Sequence, residues 1–142
     1  MHTIEYFFGF HKPASLADIR QGASVFSSFG HVEAWGYTID NTWWFFDPGR
    51  KSTKLLITHL HDEVEELLAH KFTLCREVLR VEKTNEFPIP FHLPMNCVTQ
   101  CAGLVGLRAF SPNGFRRKLL RNNAEVIHGT EGRSRRQKST VA

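Results

Sequence analysis

The length and composition of the chain predict one soluble domain with one core. Its 142 residues are close to the commonest domain size, and 42% of them are apolar, with 12 Phe and 3 Trp as large units of burial. No stretch approaches the roughly 20 apolar residues that cross a membrane, and the N-terminus lacks the basic start of a signal peptide, so we expect a cytoplasmic protein.

The formal net charge of +4 is concentrated at the end of the chain. From Gly129 to Ala142, Glu131 is the one acidic residue, and it stands against four basic residues: Arg133, Arg135, Arg136 and Lys138. The rest of the chain is nearly neutral, which does not suit a nucleic-acid-binding domain. We therefore predict a domain over residues 1–128 and a basic flexible tail over 129–142, and we expect nucleic acid as a partner only through that tail.

The first half of the chain is predicted to consist mainly of strands. Aromatic and β-branched residues favour strands at 3–10, 31–38, 43–46 and 54–59. About four residues around Asp40-Asn41 join the second and third of these, which predicts a hairpin ending at Asp47-Pro48-Gly49. A short helix is predicted between its N-cap Ser15 and Gly22.

Helices are more prominent in the second half. Asp62 is predicted to cap a helix that runs to about Lys71, and alternation over 72–83 predicts a strand. The prolines of 87–94 exclude a helix or a central strand there. Further elements are a helix from Cys97 to about Leu107, a helix that Ser111 caps and that ends near Asn122, and a strand at 124–128. Strands first and a main helix late predict an α+β fold with an antiparallel sheet.

Cys97 is the cysteine whose position suggests chemistry. Three cysteines without a secretory signal predict free thiols. Asn96 is a good N-cap, so Cys97 falls in the first turn of a helix, where the positive end of the dipole lowers the pKa of a thiol. The backbone N–H groups of Cys97 and Val98 are natural donors to an oxyanion. Cys75 and Cys101 lack this position and are predicted to be core residues, and an unreactive buried thiol is the alternative for Cys97 as well.

A cysteine nucleophile needs a base, and His31 is the best placed of the eight histidines. It opens a predicted strand, at the mouth of a sheet. His92 lies five residues before Cys97 on the proline-rich segment. His59 and His61 have a spacing that zinc accepts, but no second pair at metal spacing follows, so no metal or other cofactor is expected.

Two segments together resemble a known family. The segment from Phe91 to Thr99 places Asn96-Cys97 at a helix start, and Gly30-His31-Val32-Glu33-Ala34-Trp35 precedes a Trp-rich strand and Asp47-Pro48-Gly49. They are similar to the nucleophile region and the His strand of permuted NlpC/P60 proteins, papain-like enzymes that include the lecithin:retinol acyltransferase group. The resemblance covers roughly 30–120 and implies a circularly permuted papain-like fold, with an antiparallel sheet packed on a central helix that starts at Cys97.

The resemblance also implies an activity. It suggests a thiol peptidase, a cysteine-dependent hydrolase of peptides or other amides, with Cys97 as nucleophile, His31 as base and an acyl-enzyme intermediate. The family has a third polar residue that orients the His, on the strand after the His strand, and Asp47 is the nearest match. Glu33 is the rival, because two residues along a strand return to the same face. No membrane partner is expected.

Two other functions compete with this one. A papain-like domain without activity would be a structural or interaction module of a larger assembly, such as a virus particle, with protein as its partner. Alternatively, basic residues on the helix after Ser111 would form a nucleic-acid-binding face: Arg116, Arg117, Lys118 and Arg121.

Overall fold

A computed structural model describes residues 3–12, 29–49, 52–82 and 96–129. Within them, six strands form one antiparallel sheet in the order β4-β3-β2-β1-β5-β6, and three helices pack on it, which confirms the α+β class. The strands are β1 (Thr3–His11), β2 (His31–Thr38), β3 (Trp43–Pro48), β4 (Thr53–Thr58), β5 (Glu77–Glu82) and β6 (Glu125–His128). The helices are α1 (His61–Leu74), α2 (Cys97–Leu104) and α3 (Pro112–Arg121).

Some of the predicted elements cannot be compared with this structure. The helix after Ser15, the proline-rich segment with His92, and the tail after Gly129 lie outside the described residues. Among the described helices, none is both long enough and apolar enough to cross a membrane.

The sheet has helices on both faces. Neighbouring residues of a strand point to opposite sides of the sheet, and apolar side chains on each side pack against helices. On one face α2 and α3 cover a cluster that includes Phe8, Ala34, Leu79, Val98 and Phe115. On the other face α1 covers a cluster that includes Trp35, Phe45, Val64 and Val78. A Val, Leu or Phe side chain of these clusters contributes about 1.5–3 kcal/mol when fully buried. The prediction of a sheet packed on one central helix was therefore incomplete: α2 shares its face with α3, and α1 covers the other.

The helix α1 differs from its prediction at both ends. It begins at His61 after an N-cap residue without a side-chain cap, so Asp62 lies in the first turn, where its charge complements the helix dipole, and is not the cap. It continues to Leu74 because Phe72 packs edge-to-face on Trp35, with ring centroids 6.3 Å apart. The strand read from Phe72 onward therefore begins only with β5.

The helix α2 begins as predicted and ends earlier. Thr99 N–H donates to Asn96 Oδ1 and Asn96 N–H donates to Thr99 Oγ1, each at 2.9 Å, which is a capping box. Gly106, with φ +71°, takes the left-handed conformation common just after a helix. Leu104, the last residue of α2, is exposed. The cap of α3 is as predicted, since Gly114 N–H donates to Ser111 Oγ at 3.0 Å.

The strands β2 and β3 separate at one end of the sheet. Their ladder pairs residues 34–37 with residues 43–46. Before that ladder, His31 pairs with His11 of β1, and after it Asp47 pairs with β4. The start of β2 and the end of β3 therefore leave an opening, and the candidate residues lie around it.

Candidate active site

Cys97 lies in the first turn of α2, next to the opening between β2 and β3. The neighbouring Cys101 thiol points to the Val32 carbonyl of β2 at 3.9 Å, which fixes this helix against the start of the strand. Burial by itself would raise the pKa of the Cys97 thiol. A hydrogen bond from His31 and the backbone N–H groups of Val32 and Val98 outweigh that effect, so the pKa lies below its ordinary value.

His31 stands between this thiol and a carboxylate. Its Nε2 donates to Asp47 Oδ1 at 2.6 Å, and Cys97 is close enough to the ring to affect its pKa. Burial disfavours the charged ring, but the hydrogen bonds and negative charges of Asp47 and Cys97 raise its pKa to about 10. The hydrogen bond from His31 in turn lowers the pKa of Asp47, against the effect of burial. These contacts therefore favour the imidazolium of His31 at neutral pH, and they favour the thiolate of Cys97 relative to an ordinary thiol.

Glu33, the rival of Asp47, makes other contacts. It lies on the same face of β2 as His31 and is only 2% exposed. Its Oε2 accepts from His11 Nε2 and its Oε1 accepts from Lys71 Nζ, both at 2.5 Å. The structure thus places Asp47 against His31, and it places Glu33 in a neighbouring buried group with His11 and Lys71, which we call the Glu33 cluster.

Few local signals in the sequence indicate the Glu33 cluster. His11 ends a strand far from His31 in sequence, and Lys71 was predicted only as the end of a helix. The pairing of β1 with β2, which sets His11 opposite His31, brings these residues together. A correct register for β1 and β2 could have identified His11; the contact of Lys71 depends on how α1 packs.

A metal ion at the Glu33 cluster would compete with contacts that its potential ligands already make. Among the described residues, His11, Glu33 and Cys75 are the one group of potential ligands with donor atoms within 4.8 Å of one another. Both oxygens of Glu33 are bound to other side chains, and the ammonium of Lys71 opposes a cation. Burial, with the charge of Glu33, raises the pKa of Cys75 to about 12, which disfavours the thiolate that a metal needs.

The predicted oxyanion donors belong to the first turn of α2. The first N–H groups of a helix have no acceptor within the helix, so those of Cys97 and Val98 are free to serve an external oxygen. The N–H of Val98 also favours the thiolate of Cys97. A carbonyl group attacked by this sulfur would have its oxygen near the same donors.

The other predicted sites are less complete. His59 and His61 are exposed, and they follow the end of β4 opposite to the end that pairs with Asp47. Arg116, expected on a basic surface, is buried and its guanidinium binds both oxygens of Glu77. The basic face of α3 is therefore smaller than predicted, since Arg116 is not part of it.

Comparisons of the chain with models of protein families, with curated proteins and with solved structures found no match. The resemblance to permuted NlpC/P60 proteins therefore stays a prediction. The chemistry of the Cys97 site rests on its own geometry.

Proposed function

We propose that this protein is a cysteine-dependent hydrolase of peptides or other amides, with Cys97, His31 and Asp47 as its catalytic triad. The observation that carries the proposal is the position of His31, which hydrogen-bonds a carboxylate on the next strand and lies close enough to a thiol at a helix start for the two groups to shift each other's pKa. A nucleophile, a base and a group that orients the base are the three parts of such a triad. The proposal includes the permuted papain-like fold, in which the His strand precedes the Cys helix.

The first step is attack by the thiolate of Cys97 on the carbonyl carbon of the substrate. A C–S bond forms and the carbonyl π electrons move to the oxygen. The N–H groups of the first turn of α2 stabilise this oxyanion, and one such donor is worth about 2.7–4 kcal/mol in other enzymes. The neighbouring His31 lowers the pKa of Cys97, which makes the attacking thiolate more available than in an ordinary thiol.

The second step needs an acid. The imidazolium of His31 donates its proton to the leaving nitrogen, the C–N bond breaks, and a thioester to Cys97 remains. Part of what raises the pKa of His31 is the hydrogen bond and negative charge of Cys97. Because the sulfur loses its negative charge when the C–S bond forms, this contribution is lost before the C–N bond breaks, and His31 is then a better acid.

Water completes the cycle. Neutral His31 accepts a proton from the water that attacks the thioester, and Cys97 leaves as a thiolate, which restores the ion pair. Asp47 accepts a hydrogen bond from the ring throughout and stabilises each imidazolium.

Trapping of the acyl-enzyme tests the proposal. The full chain is mixed with p-nitrophenyl acetate, acylation is located by mass spectrometry, and a peptide library is then used to find cleaved amides. We expect an acetyl group on Cys97 that turns over, and both acylation and peptide cleavage should be lost in Cys97→Ala but kept in Cys101→Ala. Absence of acylation at Cys97, or equal acylation in His31→Ala, would argue for an inactive module.

The edge strand β4 favours an interaction function as a second candidate. Its residues Leu55, Leu56 and Ile57 are exposed, on both faces of an edge strand. An exposed edge of this kind can pair with a strand of another chain. Such a module of a larger assembly would keep its binding in Cys97→Ala, whereas the hydrolase would lose its activity.

A further inference from the structure

We propose that His11, held in place by the buried carboxylate of Glu33, is a positioning residue that keeps His31 in the orientation in which it contacts both Asp47 and Cys97. This inference rests on the proposed function of the Cys97 site. His11 does not touch the reacting atoms in this account; it acts through His31.

The first argument is the surroundings of His31. It is the first residue of β2, at a point where the ladder to β3 has not yet begun. On its other side, His11 is its direct partner in β1, and the two rings meet edge-to-face with centroids 5.3 Å apart and planes at 62°. The ring of His11 therefore limits the rotation of a side chain that would otherwise be free on one side.

The second argument is what holds His11. Its Nε2 donates to Glu33 at 2.5 Å, and the sulfur of Cys75 lies 3.6 Å from the same nitrogen. The second oxygen of Glu33 is bound by Lys71, which comes from α1. A continuous series of contacts thus runs from α1 through the Glu33 cluster to the ring of His31.

The third argument is the energetic cost of the cluster. The side chain of Glu33 is 3% exposed, and those of Lys71 and His11 are 15% and 19% exposed. Removing an ion from water costs several kcal/mol, and well-packed apolar residues in place of a buried ion pair are often as stable or more stable. Stability alone therefore gives no reason for charges here, next to an apolar cluster, whereas a fixed orientation of His11 does.

The cluster also acts on Asp47 through its charges. The hydrogen bond from His31 is the main cause of the low pKa of Asp47, and the positive charge of Lys71 adds to it against burial. The groups that face His31 are thus His11 from β1, Asp47 from β3 and Cys97 from α2, with Lys71 of α1 behind Glu33. The cluster supports the charged form of the carboxylate on one side of His31 and the ring orientation on the other.

Alkylation of Cys97 by iodoacetamide tests the inference without knowledge of the substrate. The rate at Cys97 is followed by mass spectrometry across pH for the full chain and for three variants of one residue. His11→Ala removes the ring and the donor, His11→Asn removes the ring and keeps a donor, and His11→Phe keeps a ring without a donor. We expect the midpoint of Cys97 ionisation to rise by about one unit in the Ala and Asn variants, which is about a tenfold lower rate well below the midpoint. His11→Phe should restore most of the wild-type profile.

The matched control is His128→Ala. His128 makes a similar edge contact, with Phe72 at 5.3 Å, away from Cys97. The His128→Ala variant should have a lower Tm, because packing is lost, but an unchanged alkylation profile of Cys97. A removal of the hold on His11 without an unpaired charge, Glu33→Ala with Lys71→Met, should shift the profile by less than His11→Ala, because the ring of His11 remains but is no longer held.

The outcomes separate the inference from the proposed function. An ordinary thiol midpoint in the wild-type protein would contradict the proposed function itself. A lowered midpoint in the wild type that stays unchanged in His11→Ala and His11→Asn would overturn the positioning role alone. An equal shift in His11→Phe would also overturn it, because the ring would then not be what positions His31.

Discussion

Replacement of Asp47 by Asn should lower the pKa of His31 while leaving an oxygen acceptor in place. The distance from His31 Nε2 to Asp47 Oδ1 is 2.6 Å, slightly shorter than the roughly 2.7–2.9 Å usual between a charged nitrogen donor and a carboxylate. Hydrogen bonds to a charged group contribute about 1.5–3 kcal/mol, and one pKa unit corresponds to about 1.4 kcal/mol. The pKa of His31, raised to about 10 in the wild type, should therefore fall by about one to two units in Asp47→Asn.

A titration of the histidine ring signals by NMR measures this shift directly, with the His31 signal assigned from its loss in His31→Gln. Asp40→Asn is the matched control, because Asp40 is an exposed carboxylate in the hairpin turn whose partners are Thr38 and Thr42. We expect no change of the His31 midpoint in that variant. The reasoning is refuted by an unchanged midpoint in Asp47→Asn, or by a larger shift in Glu33→Gln than in Asp47→Asn.

Three further predictions follow from other contacts. Arg116→Ala should reduce the free energy of unfolding by about 3–5 kcal/mol in urea denaturation, because it leaves the carboxylate of Glu77 buried without its guanidinium partner. The control Arg117→Ala, at an exposed position, should change it by about 0.5 kcal/mol or less. Equal effects of the two variants would contradict the buried pair. Folding raises the pKa of His31 from 6.5 to about 10 and lowers that of Cys97 from 9.0, so above pH 9 only His31 binds a proton in the folded state that it lacks in the unfolded state. The difference in unfolding free energy between the wild type and the double variant His31→Ala/Cys97→Ala should therefore fall from pH 9 to about pH 10. A difference that stays flat or rises over this range is the opposing result. Dialysis against EDTA should leave the Tm unchanged because the partners of Glu33 are side chains, and a loss of Tm that zinc restores would contradict this.

Local sequence signals were sufficient for the two reacting groups. The Asn96 cap is encoded within four residues, so the helix-start position of Cys97 could be predicted without knowledge of the rest of the fold. The strand that begins at His31 was likewise predicted with its observed bounds. Both signals depend on neighbours in the chain.

The choice between Asp47 and Glu33 could not be made in that way. Both residues suit a position next to His31 if only strand alternation is considered. What separates them is the opening between β2 and β3 and the arrival of Lys71 from α1, and both depend on long-range packing. The same holds for Arg116, whose burial is decided by Glu77 on a distant strand.

The end of the helix α1 could not be predicted from the sequence for a third reason. Its last residues alternate in a way that also suits a strand, and the sequence offered no stop or start between the two. The ring of Trp35 on the sheet holds Phe72 in the helix, so a tertiary contact determines the end of the element.

The ionisation state of Cys97 is the most direct test of the central claim, that Cys97 and His31 rest as a thiolate–imidazolium pair. The ultraviolet absorbance of the thiolate is recorded across pH for the wild type, Cys97→Ser and His31→Ala, with buried Cys75 and Cys101 present in all three. The account predicts thiolate absorbance in the wild type well below pH 9.0, the ordinary pKa of the thiol, which is lost in Cys97→Ser and moves to higher pH in His31→Ala. A wild-type midpoint at or above 9.0 that is the same in His31→Ala would contradict it.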